Sequence, residues 1–444
     1  MNLASRIESM GSSNSILISS DLYLQIKNHP KITTQKLGSF IFKNVDRMID
    51  LYAVTNDNLS IPMVKEMNGK GKIVNTSSIF SKFWTKFTLL LITFLGVAFI
   101  YNISISTPAA VEKDLTTNLK ALNFYLKGEF HHNKQTLSDI DTAITYYNKA
   151  IENDSKLAHA YNGLSKSYMR KFLSFESDTK WEKEAYSTAG IALSLNPKLA
   201  YPHIIRGQFY WSKSYNFAHE EAIKEFTNAI IKSPKLSTGY EQLSLVQLHI
   251  GLFNKALQNA YKSLKIEPGN LRARRFIGEI FLFSGKYESA LKEFEKIPED
   301  FDRSVTQSFK SLNYFYLDKT EKAIEILDEN LYLNPNNANL NSVYAIILAS
   351  QGLKKEANDK MKIATSSSVE LIHAHHIYYH LGIASALMNQ NKESVEWINK
   401  AAATGFPNYP LILSDPNLKN LHDNNSFEEL LTNLKDKYEY FKTL

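Results

Sequence analysis

The chain of 444 residues contains no cysteine, which excludes disulfides, cysteine-ligated zinc, iron–sulfur clusters and thiol catalysis. Glycine (17) and proline (12) are too sparse for a collagen-like or low-complexity chain. No charge sign dominates, because 51 Lys and Arg face 45 Asp and Glu for a net charge of +6. The excess is also unevenly placed: residues 1–110 carry +5 and the remainder only +1. A basic stripe for nucleic acid is therefore excluded. The length allows about three ordinary domains.

One long uncharged stretch is strongly apolar. Phe87 to Ile105 is FTLLLITFLGVAFIYNISI, 19 residues that as a helix span about 28 Å, close to a bilayer core. Trp84 and Tyr101 flank it, and Lys70, Lys72, Lys82 and Lys86 crowd its N-terminal side. The matching window beyond it holds only Lys113 and Lys120, offset by Glu112 and Asp114. This pattern predicts a single-pass protein of a bacterial-type cytoplasmic membrane. Its N-terminus would be cytoplasmic and residues from about 106 onward extracytoplasmic.

Downstream, one spacing recurs: a small residue, an apolar one four on, a small one three on, and a proline five on. Ala143, Tyr147, Ala150 and Ser155 open the series, with serine in the proline slot. Ala185, Ala189, Ala192 and Pro197 follow, then Ala222, Phe226, Ala229 and Pro234, then Ala256, Ala260, Ser263 and Pro268. Ala290 and Phe294 continue it with Asp302 in the slot, and Ala323, Leu327, Asn330 and Pro335 close the clear set. The last positions are 42, 37, 34, 34 and 33 residues apart. Such a period implies two antiparallel helices per repeat: small residues permit close approach, and proline stops the second helix. Residues in the first helices, among them Tyr161, Leu164, Gly207, Gly278 and Gly382, show a matching pattern. Two insertions, near Lys171–Trp181 and Trp211–His219, are expected to lengthen interhelical turns.

These residues resemble the tetratricopeptide repeat. The resemblance covers about residues 115–405 and implies a mainly α fold, an α-solenoid of about eight helix pairs with the last two degraded. It also implies a concave face that binds a protein partner. Residues 406–444 read as a loop and a closing amphipathic helix that shields the open end. Within the array, IHAHHIYYH places His373, His376 and His380 on one helical face, and His376 with His380 has the i, i+4 spacing of metal ligands. No acid lies between His376 and His380, so the metalloprotease pattern is absent. These residues, with His375, are expected as polar histidines on the outer face of a repeat helix, with no metal assigned.

Residues 1–60 stand apart from the repeat. NLASRIESM reads as a helix, SILIS as a short strand and SDLYLQIKN as a helix capped by Ser20 or Asp21. KLGSFIFKN and IDLYAVT read as strands joined near Val45–Arg47. The segments NLASRIES (2–9), ILIS (16–19), LYLQIKNHP (22–30) and LGSFIFKNVDRMIDLYAV (37–54) resemble the C-terminal portion of a class III adenylate/guanylate cyclase catalytic domain. The resemblance implies a truncated α/β domain over 1–60, followed by a basic linker (61–86). It gives Asn2 a role at the nucleotide ribose and Arg6 one at the phosphates in the transition state. Intact members work as homodimers with Mg²⁺ or Mn²⁺, whose aspartate ligands this chain lacks. The expectation is therefore a membrane-anchored, cyclase-family signalling protein, inactive as it stands. The alternative is a non-enzymatic, membrane-anchored repeat scaffold.

Overall fold

The computed structural model describes residues 3–27, 32–42, 45, 48–67, 71–73, 115–134, 136–367 and 374–444. They fall into two units, Met1–Ser106 and Thr107–Leu444.

In the first unit, period-two alternation places apolar side chains on one face of a sheet. Its elements are α1 (Leu3–Glu8), β1 (Leu17–Ser19), α2 (Ser20–Ile26), β2 (Thr34–Phe42), β3 (Ile49–Val54) and β4 (Gly71–Ile73). The four strands are antiparallel in the order β1-β3-β2-β4. Phe40 and Phe42 of β2 and Ile49 and Leu51 of β3 bury against Ile7, Met10 and Met67. The α-β-α-β-β order follows the sequence pattern, and β4 is an addition to it. The cap of α2 is Ser19, one residue earlier than expected, its hydroxyl accepting from the Leu22 amide at 3.5 Å.

The expected membrane span over 87–105 lies outside the described residues, as do Lys70, Lys82 and Lys86. Among the described residues no helix is long and apolar enough to cross a membrane. The single-pass placement and the two-sided topology drawn from it are corrected on that finding. Apolar residues of the described helices are spent on packing helix against helix, which leaves the amphipathic faces of a repeat array.

In the second unit sixteen of the described helices form eight antiparallel pairs. They are α3 (Leu119–His132) with α4 (Leu137–Asn153), α5 (Ala158–Ser174) with α6 (Thr179–Leu195), α7 (Tyr201–Tyr210) with α8 (His219–Lys232), and α9 (Ser237–His249) with α10 (Phe253–Ile266). The series continues with α11 (Leu271–Phe283) and α12 (Tyr287–Phe294), α13 (Arg303–Tyr316) and α14 (Thr320–Leu333), α15 (Ala338–Ser350) and α16 (Lys354–Ser367), and α17 (Ala374–Leu387) and α18 (Asn391–Ala403). The expected small residues are all buried, from Ala143 and Ala150 through Ala185, Ala222 and Ala256 to Ala323. In several pairs a first-helix glycine receives a bulky second-helix side chain. A Cβ on Gly207 would lie 2.4 Å from the Phe226 ring, one on Gly278 2.6 Å from Phe294, and one on Gly382 2.6 Å from Ile398.

Prolines stand where the second helices stop: Pro197, Pro234, Pro268 and Pro335 each follow directly on a C-cap residue. Asp302 departs from the pattern. Helix α12 ends early at Phe294, and Asp302 instead begins α13 with a left-handed φ of 42°. The first insertion lengthens helices as well as a turn, since α5 and α6 each run 17 residues. The second does lengthen a turn, which carries Trp211 and Phe217 into the core and holds Asn216 and Phe217 at positive φ.

The chain ends with α19 (Tyr409–Ser414), a 3₁₀ segment Pro416–Leu421 and α20 (Asn425–Thr443). Phe427, Leu430 and Leu434 of α20 pack in one core cluster with Ile398 and Ala401 of the last pair. Its far end does more. Phe441 joins the cluster of Ile204, Trp211 and Phe226 in the third pair, and Asn408 donates to the Leu248 carbonyl at 2.9 Å, 160 residues away. The solenoid is closed back on its own middle.

Candidate protein-binding groove

The inner face of the array lines an open cavity of about 970 Å³. Every first helix contributes to its wall: His132 from α3, Arg170 from α5, Gln208 from α7, His249 from α9, Glu279 from α11, Phe309 from α13, Asn339 from α15 and His380 from α17. That convergence follows from the repeat. The small-residue faces of the second helices are used up by packing, so the first helices present their remaining side chains inward.

The wall mixes apolar side chains with polar ones, and most of its charges are matched. Arg275 donates to Glu279 at 2.6 Å and lies 3.3 Å from Asp302. Arg272 lies 3.4 Å from Glu241, which also accepts from the Asn270 amide at 2.7 Å. Lys166 lies 3.3 Å from Glu129. Burial pushes the Glu279 carboxyl up to about 7, against the opposing pull of the Arg275 guanidinium.

Burial has the opposite effect on groove histidines. It lowers His380 to about 3, and it lowers His132 to about 4 with help from the Lys166 charge. The unfolded chain, with an ordinary histidine near 6.5, then takes protons first as pH falls. Stability from these groups is complete above pH 6.5 and is lost on the way down. His380→Asn isolates one of them, because it keeps a polar partner for the Ser342 hydroxyl, 2.9 Å from Nδ1. Between pH 7.5 and 5, wild type should lose about 2 kcal/mol relative to that variant in urea unfolding. A difference that does not change with pH would contradict the assignment.

The histidines of α17 do not lie on an outer face. His375, His376 and His380 are all buried, at 0%, 8% and 2% exposure, and His373 lies outside the described residues. The spacing singled out in the sequence, His376 with His380, is not the pairing the fold makes. His376 meets His249, which no local pattern marks, and His380 turns to Ser342.

No protein-family model matches this sequence, and no curated protein matches it. Solved structures do match. A tetratricopeptide repeat protein from Parabacteroides merdae shares 18% identity, covering 62% of this chain and 99% of its own, with a TM-score of 0.43. PilW, a type IV pilus biogenesis factor, shares 17% identity over 50% of this chain and 98% of its own, with a TM-score of 0.41. MamA shares 24% identity over 40% of this chain and 89% of its own, with a TM-score of 0.30.

The cyclase resemblance is corrected accordingly, together with the cyclic-nucleotide synthesis and signalling drawn from it. No family model places this chain among the cyclases, and the described residues of the first unit form two short helices and an antiparallel sheet. A helix-strand-helix-hairpin order with short apolar strands recurs in unrelated domains, so it carries no family by itself. Asn2 lies outside the described residues, and Arg6 sits half-buried on α1, where its carbonyl accepts from the Ser9 hydroxyl at 2.8 Å. The roles assigned to that pair, the Mg²⁺ or Mn²⁺ and the homodimer rest on the resemblance alone. The second unit is a mainly helical tetratricopeptide-type solenoid.

Proposed function

We propose that this chain is a non-enzymatic scaffold that binds a protein partner by taking an extended segment into the inner groove of its repeat array. One observation carries this reading: all eight first helices line a single cavity. Repeat solenoids use that surface for binding. A small-molecule site is mostly apolar with a few polar groups. Here Arg170, Gln208, Gln242, Arg272 and Asn339 line the wall, donors and acceptors suited to a peptide backbone and its polar side chains.

A photo-crosslinking amino acid placed at Gln208, in the groove, or at Tyr332, 87% exposed on a second helix, tests this in cells that express the full chain. Irradiation should yield a discrete protein adduct from position 208 and none from 332. Arg170→Glu combined with Arg272→Glu should suppress the adduct. Adducts from 332 alone, or from 208 regardless of the charge reversals, would contradict a groove-binding role.

A further inference from the structure

Burying an imidazole costs free energy unless its nitrogens are satisfied. Yet three of the twelve histidines converge in the interior of the second unit. His249 is the last residue of α9, and His375 and His376 lie in the first turn of α17. Their ring centroids stand 4.8 to 4.9 Å apart in all three pairings. One ring nitrogen from each lies within 4.8 Å of the other two, and His249 Nε2 is 3.0 Å from His376 Nε2. Imidazoles at about 2.0–2.1 Å from a tetrahedral ion hold their nitrogens roughly 3.3 Å apart, so small adjustments of ring tilt suffice.

The hydrogen bonds decide which nitrogens face inward. His249 Nδ1 is 2.7 Å from the Leu245 carbonyl, and His375 Nδ1 is 2.8 Å from the Thr404 carbonyl. A carbonyl only accepts, so both Nδ1 atoms carry the proton and both Nε2 atoms keep a lone pair. A metal-binding histidine is oriented in this way, with one nitrogen donating to a backbone oxygen and the other left for the ion. In the metal-free protein the proton on His376 Nε2 is donated to His249 Nε2. Binding moves that proton to His376 Nδ1 and frees the third lone pair, with no change in imidazole charge.

We propose that His249, His375 and His376 form a buried three-imidazole site for a divalent transition ion of the zinc type. The donor set favours such an ion over Mg²⁺ or Ca²⁺, which prefer oxygen ligands. The walls are aromatic: Trp211 lies 4.7 Å from His249, and Phe406 and Phe309 lie 4.8 and 5.3 Å from His376. They keep competing water from those sides. His249 and His376 also line the groove, which supplies an entry path and leaves a fourth position facing it. An ion there would pin the end of α9 to the start of α17, residues separated by 127 positions in the chain.

The test uses the full chain without a polyhistidine tag, stripped with chelator and dialysed against Zn²⁺. One equivalent of zinc should be retained, and Co²⁺ should give the visible absorption of a tetrahedral nitrogen-rich site. His249→Gln, His375→Asn and His376→Gln should each weaken zinc binding more than about 100-fold. His422→Gln, at a partly exposed histidine, should leave it unchanged. The Co²⁺ spectrum of wild type decides the matter even where a variant folds poorly. A wild-type chain that retains no zinc and gives no cobalt band overturns the proposal, as does zinc held equally by all three variants.

Discussion

Asp415→Ala should cost about 2–5 kcal/mol of stability in urea unfolding of the full chain, followed by circular dichroism. Asp415 is 4% exposed, and one of its oxygens accepts from both Tyr316 and Tyr379 hydroxyls at 2.7 Å. The other oxygen caps the 3₁₀ turn through the Asn417 amide at 2.9 Å. Alanine would strand two buried hydroxyls on two different first helices and open the return segment at its centre. Asp415→Asn keeps an acceptor and should cost less than half as much. Burial raises the Asp415 carboxyl, and the hydrogen bonds from Tyr316, Tyr379 and Asn417 pull it the other way. If alanine cost less than about 0.5 kcal/mol, the return segment would not be fastened there.

Gly163→Ala is expected to destabilise by about 2–3 kcal/mol, although alanine is the better helix former. Its Cβ would sit 2.3 Å from the Tyr147 ring, which is itself fully buried and tied by its hydroxyl to Glu129 at 2.5 Å. Gly128 approaches the same ring from the preceding first helix, where a Cβ would lie 2.6 Å away. The ring therefore has little room to retreat. Gly190→Ala is the matched control: mid-helix on α6, its Cβ would meet nothing within 4 Å. It should stabilise by about 0.5–1 kcal/mol through helix propensity. Both substitutions are read by the same urea titration. Equal and small effects at the two positions would contradict the glycine-to-ring packing between helices.

The contrast between these residues shows what is legible in the sequence. Helix pairing leaves a local trace, because close approach demands small residues at fixed spacing and a stop after them. Ala143 to Pro335 can thus be placed from spacing alone. The last two pairs look degraded because their proline slot is lost. Their packing residues are intact, as Ala357, Met361 and Ala364, and as Ser394, Ile398 and Ala401, all buried. The buried triplet, rather than the terminating proline, is the signal that marks them.

The return of the chain on itself is not legible. It depends on contacts between distant residues, such as Gly405 with Phe217 and Asn408 with Leu248, and no periodicity marks those. His249 escapes a sequence reading for the same reason, being a lone histidine in an otherwise ordinary helix. The histidines of α17 stand out in the sequence, but on the wrong face. An outer face is the usual place for polar residues on a repeat helix, and the closure that buries this one is a tertiary event. In the first unit, local pattern predicts the order of elements correctly, whereas family likeness overreaches. Short strands and helices carry little information beyond their own alternation.

Binding, on this reading, belongs to the groove and not to the outer surface. The decisive measurement takes the segment crosslinked from position 208, prepared as a peptide, and titrates it into the purified chain by calorimetry. One site per chain is expected, weakened at least about tenfold by Arg170→Glu with Arg272→Glu, a loss of about 1.4 kcal/mol or more. Tyr332→Ala should leave the affinity unchanged. Binding that survives the groove reversals and is lost with Tyr332 would place the partner on the outer surface instead.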